Sequence, residues 1–198
     1  MLRARSALEA HLYLDLHQCE CGSTDFDRRH RLEQRGEDIV AVYEGACREC
    51  GRNRNFTFLM ADEIPPPPPA FGGAAPSEII DPGEFAAVAA DVSARAGVVL
   101  LNSPEAEHHR QRGAVAYAVA AVEEVLKFIP AGQDAVPASA FTSEAGRARY
   151  EKDPGKFRRD ILEIELRLTR QILTDIDTVS PPPGDTGSRG SGSAPGVN

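Results

Sequence analysis

Residues 19–51 read CECGSTDFDRRHRLEQRGEDIVAVYEGACRECG, and their cysteine spacing indicates how the N-terminal third of the chain is built. It holds all four cysteines of the 198-residue protein, as a C-x-C-G pattern from Cys19 and a C-x-x-C-G pattern from Cys47. Each pattern is typical of a tight turn that ends in glycine, because glycine accepts the positive φ such turns need. In these turns backbone amides are expected to point at the sulfurs. The residues between the turns are sufficient for two antiparallel strands, which would bring the turns side by side.

Two converging turns with two cysteines each suit zinc, which takes four nitrogen or sulfur ligands at the corners of a tetrahedron. Disulfides and free thiols are the alternatives. The first residues contain no apolar stretch of signal-peptide length, so we expect a cytoplasmic protein, in which disulfides are rare. Four protein ligands would fill the coordination sphere, and the site would then be structural, with one zinc per chain. His17 could replace a cysteine as ligand, although a polar residue at a helix end is the simpler interpretation.

The sequence around the turns predicts a short helix over 5–16 and three strands. Residues 24–33 and 38–46 form a hairpin around Arg35-Gly36-Glu37-Asp38, and a third strand covers 55–59. With these features, residues 17–60 resemble the zinc-ribbon group, although the first turn is one residue shorter than the usual C-x-x-C. The resemblance implies a three-stranded antiparallel sheet. It also implies four metal ligands, namely Cys19, Cys21, Cys47 and Cys50.

The five consecutive prolines Pro65–Pro69 predict a semi-rigid linker over 61–79. It would separate a module at 1–60, a short helix plus the ribbon, from a helical domain at 80–179. Residues 180–198 are rich in Gly, Pro and Ser and poor in apolar side chains, which predicts a disordered tail.

Three to four antiparallel helices are predicted within 80–179, which makes the chain α+β. The first begins at Asp81-Pro82-Gly83-Glu84, where an N-cap, a proline and a glutamate follow each other as in a capping box, and it ends near Gly97. Further helices cover Ser103 to Phe128, 142–152 and 153–179. The last should bury one face, which consists of Ile161, Ile164, Leu168, Ile172 and Ile176.

The chain carries 30 acidic and 22 basic residues, a net charge of -8, which argues against a protein that coats nucleic acid. A local basic patch is still possible at the ribbon. It would consist of Arg28, Arg29, Arg31, Arg48, Arg52 and Arg54. Interspersed acidic residues make a solvated mixed-charge face the simpler interpretation.

The whole-chain layout also resembles an uncharacterised family from GC-rich bacterial genomes. The resemblance rests on the segment that leads to Cys19, on Asp81-Pro82-Gly83-Glu84-Phe85 and on Glu124-Val125-Leu126-Lys127-Phe128-Ile129-Pro130, and it implies no activity. No local motif marks a nucleophile with a paired base. We therefore expect a non-enzymatic adaptor or regulatory protein with a protein partner and no membrane span. The alternatives are nucleic-acid binding by the arginines and an enzyme with a pocket between ribbon and helices.

Overall fold

The computed structural model describes residues 1–95 and 105–179. Its elements in chain order are β1 (Leu2–Ala4), α1 (Ala7–Leu16), β2 (Arg29–Arg35), β3 (Asp38–Ala46), β4 (Asn53–Met60), α2 (Pro82–Arg95), α3 (Glu105–Lys127), α4 (Glu144–Lys152) and α5 (Arg159–Val179). Short 3₁₀ turns at Ala138–Ala140 and Pro154–Phe157 precede α4 and α5. The α+β class is confirmed, with a sheet in the N-terminal third and helices after it.

The sheet has four strands in the order β1-β4-β3-β2, and it is mixed. β2, β3 and β4 are antiparallel as predicted, whereas β1 pairs parallel with β4, with Leu2 opposite Phe58. The prediction of a three-stranded antiparallel sheet is therefore wrong in strand number and type. Three residues are too few for an alternating pattern, and their partner lies more than fifty positions away in the sequence. The first hairpin strand also begins later than predicted, at Arg29.

α1 packs between the sheet and the later helices because both of its sides are apolar. Ala10 and Leu14 belong to the core beneath the sheet, together with Tyr43 and Phe58. Leu12 on the other side belongs to the helical core. α1 therefore contacts both the sheet and the later helices. The domain boundaries at 60 and 79 stay a prediction.

The start of α2 follows the predicted capping box and also fixes α4. Asp81 Oδ1 accepts hydrogen bonds from the backbone N–H groups of Gly83 (2.8 Å) and Glu84 (3.0 Å), and Glu84 Oε2 accepts one from Asp81 N (2.9 Å). The second oxygen of Asp81 accepts the N–H of Ser143 (2.7 Å), the N-cap residue of α4. One buried carboxylate therefore satisfies backbone donors at two helix starts.

The face of α5 that packs on the helical core differs from the prediction. Leu162, Leu166 and Ile176 are buried, whereas four of the five residues predicted to be buried are exposed. These four are Ile161, Ile164, Leu168 and Ile172. Both sets have helical spacing, so periodicity alone could not distinguish the inner face from the outer one. The prediction was correct only for Ile176.

Several predictions fall outside the described residues. The end of the first long helix at Gly97, the start of the second at Ser103 and the tail at 180–198 belong to this group. Among the described residues, no helix combines the length and the apolar character that a membrane span requires.

Candidate metal centre

The fold brings all four cysteines together. Their Sγ atoms lie within 4.8 Å of one another, and two of the pairs, Cys19 with Cys50 and Cys21 with Cys47, are each 3.6 Å apart. Sulfurs at the corners of a tetrahedron with Zn–S bonds of about 2.3 Å lie about 3.8 Å apart, whereas a disulfide needs about 2.05 Å. The arrangement is therefore that of four free thiols around one metal-sized position.

Two tight turns present these cysteines. In the first, Gly22 N donates to Cys19 O (2.8 Å), and in the second, Gly51 N donates to Cys47 O (2.9 Å). Both glycines have positive φ, +87° and +71°. The predicted role of glycine is confirmed, because a residue with a Cβ would be strained in this left-handed conformation.

Backbone N–H groups surround the sulfurs of the second turn. The pKa of Cys47 falls to about 6, because the N–H of Cys50 donates to its sulfur and the N–H of Glu49 adds to this effect against the opposing effect of burial. The N–H of Arg52 acts likewise on Cys50, but hydrogen bonding with Cys21, burial and the other two thiols together raise the pKa of Cys50 to about 12. A coordinated divalent cation would displace the protons that remain on the sulfurs.

The two turns are joined by a close backbone crossing. Phe26 forms an antiparallel bridge with Cys47, and Asp27 N donates to Ala46 O (3.0 Å). At this point Gly45 lies directly under the Asp27 carbonyl, with no room for a Cβ atom. The segment that follows the first turn is thereby fixed against the end of β3, next to the metal ligands.

Arg54 holds the first turn from the other side. Its guanidinium group donates to the backbone oxygens of Thr24 (3.1 Å) and His17. It also lies 4.6 Å from the ring centre of Phe26 and 5.0 Å from that of Phe56. The side chain is buried, so Arg54 has a structural place that the sequence analysis did not identify.

His17 lies outside the cysteine cluster. It is the C-cap residue of α1, its Nδ1 lies 2.7 Å from the carbonyl oxygen of Tyr13, and its ring stacks on that tyrosine with centroids 3.7 Å apart. These contacts agree with the simpler interpretation of a polar residue at a helix end.

The other arginines of the predicted basic patch face acidic side chains. Arg28 pairs with Asp15, Arg31 with Glu33 and Glu44, Arg48 with Asp25 and Asp27, and Arg52 with Glu20. Arg29 lines a polar cleft of about 400 Å³ together with Asp27 and Glu44. Of the six arginines, four thus form ion pairs with carboxylates, Arg29 lies near two of these carboxylates, and Arg54 is buried.

No family model, curated protein or solved structure matches this chain. The donor set and its geometry are consistent with a zinc-binding site, and they are independent of any family assignment.

Proposed function

We propose that the chain is a non-enzymatic adaptor or regulatory protein with a zinc-ribbon module, in which Cys19, Cys21, Cys47 and Cys50 hold one structural zinc ion. When bound, zinc would link the two turns and neutralise part of the thiolate charge. Four thiolates complete a tetrahedral coordination sphere, which leaves no position for a substrate or a reacting water. The small module also gains from a metal link, because its own apolar core is limited in size.

One observation carries the proposed role in protein binding, namely large aliphatic side chains exposed on two separate faces. On the sheet, Leu32 and Ile39 border an apolar groove of about 290 Å³ that also contains Tyr43. On α5, Leu168 lies in a row of four exposed residues. Contiguous exposed apolar surface of this kind is typical of sites that bind another protein.

The alternatives receive less support. Nucleic-acid binding would require the ribbon arginines to leave their acidic neighbours, and this remains a prediction. An enzyme would require polar groups to converge in a pocket between ribbon and helices. Two clefts among the described residues, of about 400 and 290 Å³, are lined by residues between Ala7 and Ala61, and neither is such a pocket.

The proposal can be tested by crosslinking and capture of the full-length chain from its native cells, with and without nuclease. A double variant, Leu32→Ser with Leu168→Ser, is the comparison, provided its circular dichroism matches the wild type. We expect one protein partner whose recovery survives nuclease and falls in the double variant. Recovery of nucleic acid, or equal recovery of the partner by both forms, would contradict the proposed role.

A further inference from the structure

The outer side of α5 carries a row of four aliphatic residues, Ile161, Ile164, Leu168 and Ile172, which we term the outer stripe. Their exposed fractions are 40, 43, 61 and 49%. The steps of three, four and four residues place them on one face of the helix, over about 17 Å of its length.

The outer stripe is additional to the face that α5 already uses. Leu162, Leu166 and Ile176 fill the inner face and are buried in the described fold. A helix that only covers its own core needs one apolar face with polar residues opposite. Among the described residues the second apolar face of α5 is left partly exposed, and a docked partner would remove it from water.

Unpaired acidic groups outnumber basic ones at the borders of the outer stripe. α5 contains five acidic and three basic residues, and both signs are partly engaged. Arg170 pairs with Glu123, Asp160 with Arg158 and Asp177 with Arg112, and Arg159 donates to the carbonyl of Gln133. Beside the stripe this leaves Glu165 and Asp175 against Arg167. Glu165 lies half-buried beside the stripe, and burial raises its pKa against the opposing effect of Lys156. A cation on a partner would stabilise the charged form of this carboxylate.

We infer that the outer stripe of α5 docks an amphipathic helix of a partner protein whose aliphatic row is bordered by lysine or arginine. This inference rests on the proposed function and names the chemistry of its partner. A straight aliphatic row on a helix fits the groove between the side-chain ridges of another helix. The acidic borders require positive charge on that helix.

A second copy of α5 would fit this surface less well. In an antiparallel pair, the same side of the stripe from each copy faces its counterpart. Glu165 would then lie next to Glu165 of the other copy, and Arg167 next to Arg167 of the other copy. In a parallel pair, a residue that flanks the contact faces the residue five positions later on the other helix, so Asp160 would face Glu165 of the other copy. Either orientation places like charges together, and like charges oppose association.

Two synthetic helices of about 18 residues, five turns each, provide the test. Both carry leucine at steps of three and four, one with lysine and the other with glutamate at the bordering positions. Binding to the full-length chain is measured by fluorescence anisotropy. The control variant is Ile64→Ser, because Ile64 is 90% exposed and lies on neither of the two apolar faces, whereas Leu168 is 61% exposed.

We expect the lysine peptide to bind, the glutamate peptide to bind at least about tenfold more weakly, and Leu168→Ser to weaken lysine-peptide binding about tenfold. Ile64→Ser should leave binding unchanged. The inference is overturned if neither peptide binds, if both bind alike, if Leu168→Ser has no effect, or if sedimentation reveals a dimer that Leu168→Ser abolishes. Capture of a nuclease-resistant partner through the Leu32 face would leave the proposed function intact in each of these cases.

Discussion

The carbonyl oxygen of Asp27 occupies the space that a Cβ atom on Gly45 would need, so that no side chain can be placed at position 45. This contact joins the segment after the first cysteine turn to β3 near the second turn. Position 45 therefore needs glycine because there is no space for a side chain. Its backbone conformation, that of an ordinary strand, would suit other residues.

Gly45→Ala should destabilise the protein by about 3 kcal/mol or more, because the new methyl group forces the backbone at Asp27 to move. Gly113→Ala is the matched control, since Gly113 lies in α3 with open space at its Cβ position. That control should gain about 0.5–1 kcal/mol from helix propensity. Urea denaturation measures both. Equal stability of Gly45→Ala and the wild type would mean that the crossing is not as close as described.

The second prediction concerns a buried charge network between the N-terminus and α3. Arg5 Nη2 lies 2.7 Å from Glu9 Oε1 and 2.8 Å from Glu124 Oε2, and Lys127 Nζ lies 2.6 Å from Glu124 Oε1. Arg5→Met should destabilise the fold by about 3–5 kcal/mol, because it leaves two buried carboxylates with reduced compensation.

Arg112→Met provides the comparison for this network. Arg112 pairs with Asp177 at 2.6 Å on the surface, where both side chains are largely exposed. Its loss should change the free energy of unfolding by less than about 1 kcal/mol. If thermal or urea denaturation finds the two substitutions equivalent, the Arg5 network contributes no more than a surface ion pair.

Features that depend on neighbouring residues were predictable from the sequence. The capping box at Asp81 and Glu84 and the positive φ of Gly22 and Gly51 each follow from a few adjacent positions. The cysteine cluster was predictable as well, because its two turns and the hairpin between them determine which residues meet.

Features that depend on distant partners were not predictable. The pairing of Leu2 with Phe58 needs a strand of three residues to find β4. α5 carries aliphatic residues on two sides, and only the packed structure reveals that Leu166 faces inward and Leu168 outward. Arg54 had the pattern of a surface arginine, yet its aromatic neighbours and backbone acceptors come from three separate segments.

The third prediction concerns the pH dependence of stability through Glu84. Burial raises the pKa of Glu84, the N–H of Asp81 partly offsets this, and the Asp81 carboxylate adds to the increase. The folded state therefore binds this proton more tightly than the unfolded chain. The resulting contribution is complete below the unfolded pKa and is lost as pH rises through the higher folded pKa.

Glu84→Gln should consequently gain stability relative to the wild type as pH rises from about 4 to about 7, because glutamine stays neutral. Urea denaturation across this range measures the difference, with Glu78→Gln at an exposed neighbouring position as the control. A constant difference between Glu84→Gln and the wild type over the whole range would show that folding does not perturb this carboxyl group.

The fourth prediction concerns removal of the metal. Because the four thiolates belong to two turns that the metal would link, a strong chelator should loosen the ribbon before it affects the distant part of α3. Hydrogen exchange can follow both regions in the same sample. Loss of protection at the N–H groups of Asp27 and Cys47, with Val122 still protected, is the expected pattern. Unchanged protection at Asp27 and Cys47 would argue against a structural metal.

The metal content of the purified full-length chain, measured by mass spectrometry together with thiol titration, tests the zinc site most directly. We expect one zinc ion per chain, no thiol that reacts readily before the metal is removed, and loss of zinc in Cys47→Ser. A fully folded protein without metal, in which all four cysteines titrate freely, would contradict it.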